Sequence, residues 1–213
     1  MKQRLMFVML LFGVVASAQA ITIADPGFES FDVDPGGFTK ENGAWSFDND
    51  AGVVQPYAPN SSTAILNTWS ATFDAIEGEQ YASTYAGGDR IFQSVTFEKS
   101  GEYLFEVFAA APGGSVNTGG GYIPLSWGSF YFQVGLQSAG YFVLYPDTDW
   151  AKYSATAYVE AGTHLVQIKN GASAPYFINY DAFSLTLVPL PASIWLLGSA
   201  LAGLGWLRRK QTC

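Results

Sequence analysis

The sequence predicts an antiparallel β-sandwich carried between two apolar terminal segments. Three observations point there. Apolar residues between 21 and 187 recur with a period of two in short runs, and Gly, Pro and Asn turns separate those runs. Both ends of the chain are apolar segments flanked by basic residues. No stretch between 21 and 187 shows a 3.6-residue apolar period of helical length.

The amino terminus reads as a secretory signal. Lys2 and Arg4 form a basic start, Leu5–Val15 is apolar, and Ala18-Gln19-Ala20 is a small-x-small cleavage site for signal peptidase. The apolar stretch is too short to span a bilayer comfortably. Residues 1–20 are therefore assigned to the signal peptide, and the mature chain is expected to begin at Ile21.

Residues 21–187 suffice for one domain with its own core. Arg90–Phe97 is rich in β-branched and aromatic residues and predicts a strand. Ser100-Gly101 predicts a turn, with Glu102–Ala109 as the hairpin partner of the preceding strand. Further strands are expected at Ser129–Val134, Tyr141–Tyr145, Tyr153–Val159, His164–Lys169 and Tyr180–Leu187, with a turn at Ala161-Gly162. The Gly-rich segment 112–121 reads as a loop at one end of the sandwich.

Charge narrows the partners. All 18 acidic residues lie in 21–187, against only Lys40, Arg90, Lys99, Lys152 and Lys169. So acidic a body repels phosphate backbones and excludes nucleic-acid binding as a sensible expectation, while it suits divalent cations. The single cysteine, Cys213, lies outside the body, so the exported domain has no internal disulfide and depends on its core or on a metal.

Catalytic signatures are sparse. His164 is the only histidine and falls in an alternating segment, which makes it a strand residue first. A His-rich zinc site is excluded, and a Ser-His-Asp triad would rest on that one residue. Asp147/Asp149 and Glu77/Glu79 are candidates for the carboxylate pair that a glycoside hydrolase would need. The expectation is a non-enzymatic protein, with a secreted glycosidase as one alternative.

The carboxyl terminus carries the clearest signal. Val188-Pro189-Leu190-Pro191 precedes an apolar run from Ala192 to Leu207, and Arg208-Arg209-Lys210 follows it. As a helix the run is ~24 Å long, against a hydrocarbon core of ~30 Å that the flanking Val and Leu residues help to match. Trp195 and Trp206 lie near its ends, where interfacial rings are favoured, and the three cations hold that end in the cytoplasm. Residues 188–213 are thus read as a tail with one transmembrane helix over 192–207, and the body lies across the inner membrane from the cations.

Those three parts, in that order, resemble the PEP-CTERM sorting signal of exopolysaccharide-producing Gram-negative bacteria. Leu190 departs from the Glu that names the motif. The resemblance implies recognition by an exosortase, processing near Pro189–Pro191, transient anchoring in the inner membrane, and a destination at the cell surface or in the extracellular matrix with exopolysaccharide. A lectin-like module of defined sugar specificity is the other alternative.

Within the body, Asp25-Pro26-Gly27-Phe28-Glu29 and Asn179-Tyr180-Asp181-Ala182-Phe183-Ser184-Leu185, together with Lys99-Ser100-Gly101-Glu102-Tyr103, resemble galactose-binding-like jelly rolls, a group that includes many carbohydrate-binding modules. That resemblance implies a structural Ca²⁺ held by the Gly27 carbonyl and the Glu29 and Asp181 carboxylates. Calcium prefers oxygen ligands, and closing the first strand on the last would help a domain without disulfides. Trp45, Trp69 and Trp127 lie in or beside Gly-, Asn- and Pro-rich segments and are expected to form a carbohydrate-binding platform, since flat rings stack on sugar faces. Trp150 and Tyr153, at the start of a strand, are expected to pack.

Overall fold

The computed structural model describes residues 19–31, 33–34, 38–40, 43–49, 51–54, 73–85, 87–112, 115–117, 122–124, 127–171, 177–189, 197–198 and 200. Among them the chain forms β1 (Gln19–Ile21), β2 (Phe38–Thr39), β3 (Ser46–Asp48), β4 (Gly52–Val54), β5 (Tyr81–Thr84), β6 (Arg90–Phe97) and β7 (Gly101–Ala111). After these come β8 (Ser115–Asn117), β9 (Tyr122–Pro124), β10 (Gly128–Val134), β11 (Gln137–Leu144), β12 (Thr148–Val159), β13 (Gly162–Asn170) and β14 (Ile178–Leu187).

Two antiparallel sheets make the sandwich. One runs β12-β7-β14-β5-β4-β2, with β1 also paired to β14; the other runs β11-β10-β13-β6-β3. Strands β8 and β9 pair with each other. The later strands match the sequence expectation closely, because their alternation is long enough to read. Strand β6 buries Ile91, Val95 and Phe97 and turns Ser94 and Thr96 outward, and β7 buries Tyr103, Phe105 and Val107 on the same principle. Strands β2 to β5 are two to four residues long and give too few alternations to be legible.

The expected hairpin between 90–97 and 102–109 is corrected. Strand β6 pairs with β13 and β3, whereas β7 pairs with β12 and β14 in the opposite sheet. The turn at 98–100 is a corner between layers. Both strands direct an apolar face inward, so Phe97 meets Tyr103 edge-on across the core at 4.9 Å. The Tyr103 hydroxyl donates to the Lys99 carbonyl at 2.6 Å and pins the corner. The turn at 161 likewise joins β12 to β13 across the layers.

Aromatic rings fill the space between the sheets. Phe130 of β10 lies 5.2 Å from Tyr180 of β14, and Phe132 lies 5.9 Å from both Phe105 of β7 and Phe183 of β14. Phe142 and Tyr153 close the β11–β12 side, as expected for Tyr153, whose hydroxyl pKa is raised by burial. A bulge lets this happen. The β10–β11 register slips between Phe130 and Phe132, and Gly140 there has φ +69°; a Cβ at that position would run into the Phe142 ring. A buried polar bond also crosses the layers, where Asn170 Nδ2 donates to Thr84 Oγ1 at 3.0 Å; within one sheet, Ser83 Oγ donates to Asn179 Oδ1 at 2.9 Å.

The chain divides into two compact units. Gln19–Val188 is the sandwich, and Met1–Ala18 with Pro189–Cys213 forms the other. In the latter, Leu197, Gly198 and Ala200 are helical and exposed. Among the described residues no helix is long and apolar enough to cross a membrane, and most of the expected 192–207 span lies outside them.

Phe132 is fully buried and touches rings from three neighbouring strands. Phe132→Ala is expected to lower unfolding stability by about 3–5 kcal/mol. Urea melts of the sandwich followed by tryptophan fluorescence will check this.

Candidate functional site

One end of the sandwich is built on three carboxylates that act as loop staples. Asp25, at φ +53°, accepts the Glu29 amide on Oδ1 at 2.6 Å, and the Ser30 amide and hydroxyl on Oδ2 at 3.1 and 2.6 Å. That folds 25–30 into a tight turn, as Asp residues favour when they bond the backbone just downstream. The turn then reaches the last strand, because the Phe183 amide donates to the Pro26 carbonyl at 3.0 Å. Glu29 Oε1 accepts the amides of Glu79 and Gln80 at 2.9 and 2.7 Å. Asp181 Oδ2 accepts those of Ile76 and Glu77 at 2.6 and 3.0 Å, and its Oδ1 accepts the Ala182 amide at 2.7 Å.

Asp181 reaches that position through a bulge. The β14–β7 register slips between Asp181 and Ser184, and Ala182 has φ +50°. The carboxyl is wholly buried. Burial pushes its pKa up to about 7, the three backbone amides pull it down, and the charge of Glu29 raises it again. Gly27, also buried, lies under the Glu77 side chain, where an added Cβ would stand 3.3 Å from Cγ. Gly27, Glu29 and Asp181, far apart in sequence, therefore gather at one end of the sandwich.

Among the described residues no group of three or more His, Cys, Asp or Glu side chains is placed to hold a metal ion. A cation there would rest on two carboxylates and backbone oxygens. The donor chemistry fits a hard cation in that form: a buried carboxylate stands beside a second negative charge, and neither forms an ion pair with a basic side chain among the described residues.

The tryptophans separate. Trp45 is corrected from a surface platform to a core residue. It is 0% exposed, its ring packs on Phe28 at 5.1 Å and on Phe183 at 5.5 Å, and its indole donates to the Asp25 carbonyl at 2.7 Å. A Cβ at Gly43, two residues before Trp45, would meet the Phe31 ring at 3.0 Å. Trp69 lies outside the described residues. Trp127 is exposed at 53%, just before β10. Trp150 packs as expected, against Phe73 and Tyr81, and donates to the Asp74 carbonyl at 2.8 Å.

Sequence reasoning missed the surface beside Trp127. Gly128 pairs with Leu144 and Ser129 with Val143, so Tyr145 continues the register opposite Trp127. Tyr141, Val143 and Tyr145 stand outward on β11, an edge strand, with the two tyrosines 61% and 66% exposed. The run Tyr-Phe-Val-Leu-Tyr is apolar on both faces, and that is the one signal that could have found it. On the same outward face lie Ser129 and Gln167, since their neighbours Phe130 and Ile168 point into the core. Ser129 Oγ and Gln167 Oε1 are buried without a hydrogen-bond partner among the described residues.

The carboxylate pairs are exposed at 77, 79, 147 and 149, and Asp149 accepts the Trp150 amide at 2.8 Å. His164 sits on β13 as expected, donating from Nε2 to the Glu160 carbonyl at 3.0 Å. At the chain's end, the Val188 amide donates to the Glu102 carbonyl at 2.8 Å, and the described segment closes with Pro189. Ala18, Leu190, Pro191, Arg208, Arg209 and Lys210 lie outside the described residues.

Comparison places these features among known proteins in two steps. The sandwich is similar in part to solved carbohydrate-binding modules. One is TmCBM61 in complex with β-1,4-galactotriose, at 16% identity and TM-score 0.46 over 79% of this chain and 99% of that one. Another is a family 35 module from Clostridium thermocellum, at 14% identity and TM-score 0.45 over 80% and 98%. A third is the CBM22-1 xylan-binding domain of Paenibacillus barcinonensis Xyn10C, at 15% identity and TM-score 0.44 over 68% and 86%. The tail is matched more directly: residues 187–210 fit the PEP-CTERM protein-sorting motif, so the chain carries that C-terminal sorting signal of exported proteins. No curated protein matches the chain in sequence.

Gly78 tests the staple. It has φ +73°, and a Cβ there would run into the Glu29 carboxyl. Gly78→Ala is expected to cost about 1–3 kcal/mol, from the left-handed backbone and from displacement of Glu29 off its two amides. In a Glu29→Ala background the same substitution should cost less, and a double-mutant cycle by chemical denaturation measures the difference.

Proposed function

We propose that this protein is exported, processed by an exosortase at its PEP-CTERM signal, and left outside the inner membrane as a non-catalytic glycan-binding protein in contact with exopolysaccharide. The sorting motif at 187–210 is the observation that carries the reading. It follows directly on a stable, acidic sandwich, so the tail is the segment for a membrane enzyme to act on and the body is the cargo.

The glycan-binding surface is the outward face beside Trp127. Rings that stack on sugar faces stand outward there, at Trp127, Tyr141 and Tyr145. The net negative charge of the body favours neutral sugars over polyanions there. At the other end, calcium bound by the Gly27 carbonyl and the Glu29 and Asp181 carboxylates would neutralise the charges that now oppose each other. It would supply there a structural cross-link between the first turn and the last strand.

Three outcomes are expected. In cells lacking the exosortase, full-length protein with an intact C-terminus accumulates in the inner membrane; release of a shortened form from such cells would sink the sorting assignment. Trp127→Ala or Tyr141→Ala weakens binding to the host's polysaccharide, by up to about tenfold for a ring worth about 0.5–1.5 kcal/mol. Affinity electrophoresis reads this, and unchanged mobility in both variants removes the platform. Calcium raises the melting temperature of the wild-type sandwich, EDTA reverses the gain, and Glu29→Ala abolishes it; a wild-type melt indifferent to both additions removes the cation.

A further inference from the structure

The sandwich begins two residues earlier than the mature chain expected from sequence. Its compact unit starts at Gln19, and β1 pairs Gln19 with Leu187, Ala20 with Thr186 and Ile21 with Leu185. Strand β14 has β7 along one side. Along the other, β5 covers Ile178–Tyr180 and β1 covers Leu185–Leu187. A chain starting at Ile21 would keep one of the three β1 pairs and leave Thr186 and Leu187 open on that side. An open strand edge is a template for unwanted strand addition, and this one would directly adjoin the sorting motif. Ile21 also packs against the core, and Ala20 and Ile21 wall a groove of about 300 Å³ with Thr96, Lys99, Tyr103 and Leu187.

The sequence offers a second site of the same small-x-small type. Ala16-Ser17-Ala18 lies directly after the apolar stretch that ends at Val15 and one frame ahead of Ala18-Gln19-Ala20. We infer that signal peptidase cuts between Ala18 and Gln19, so that β1 survives whole in the mature protein. In that step water adds to the Ala18 carbonyl, the Ala18–Gln19 bond breaks, and the Gln19 amine leaves with a proton. The freed amine can then attack the Gln19 side-chain amide, closing a five-membered lactam and releasing ammonia, with no further reactant.

The consequence reaches the other end of the chain. Because Gln19 lies opposite Leu187, the new N-terminus stands beside the first residue of the sorting motif. Removal of the leader leaves the strand that feeds the tail fully paired, and the second cut takes place on a body that is already closed.

Full-length protein expressed in a Gram-negative host and recovered after export provides the test, by intact mass and N-terminal peptide analysis. A chain beginning at Gln19, or the same chain lighter by one ammonia, is the expected result; a chain beginning at Ile21 overturns the inference. Two variants separate the sites independently, because the enzyme needs small residues at both flanking positions. Ala20→Phe is expected to be processed at the wild-type rate to a Gln19 start, and Ala16→Phe to lose that start, keeping its leader or shifting to an Ile21 start. Blocked processing in Ala20→Phe, with Ala16→Phe cut normally, overturns it.

Discussion

Strand β14 joins requirements that would otherwise pull apart. It pairs with β7 on one side and with β5 and β1 on the other, and it sends Tyr180, Phe183 and Leu185 into the core. A bulge in its middle buries Asp181 as a staple for the loop at 76–77. Its last residue is also the first of the sorting motif. The segment that carries the sorting motif thereby follows a strand paired with three others. Backbone bonds carry the load that disulfides carry in many exported domains of this size.

The body has no disulfide to lean on, and its aromatic residues fill that role by packing. Rings of Phe105, Phe130, Phe132, Phe142, Tyr153, Tyr180 and Phe183 interlock between the sheets at centroid separations within 6 Å. Edge-on and tilted pairs of this kind contribute about 0.5–1.5 kcal/mol each beyond the area they bury. The same residue class serves the surface on β11, where the strand lies at the edge of its sheet and its outward rings have no layer to cover them. Burial or display of a ring here is decided by sheet order.

Negative charge is handled by backbone amides. Asp25, Glu29 and Asp181 together accept seven main-chain N–H groups and one hydroxyl from the loops they hold. Charge-assisted bonds of that kind are strong and order loops that have few apolar anchors. The arrangement brings like charges together, and burial, with a smaller contribution from the charge of Glu29, raises the pKa of Asp181.

The C-terminal sorting signal was legible in sequence because its physics is one-dimensional. Apolar length and flanking cations read the same in any fold. The long late strands were legible too, since a run such as Arg90–Phe97 repeats its alternation often enough to declare a face. Meeting of Gly27, Glu29 and Asp181 was indicated only by resemblance, and the bulge that buries Asp181 has no mark in the local pattern. Sheet assignment was beyond the sequence: β6 and β7 are joined by a short turn in either arrangement, and the rings of Phe97 and Tyr103 choose the corner over the hairpin only once both layers exist. Trp45 and Trp127 sit in similar polar surroundings along the chain. Tertiary structure alone sent one inward, where its indole proton finds the Asp25 carbonyl, and left the other at an uncovered edge.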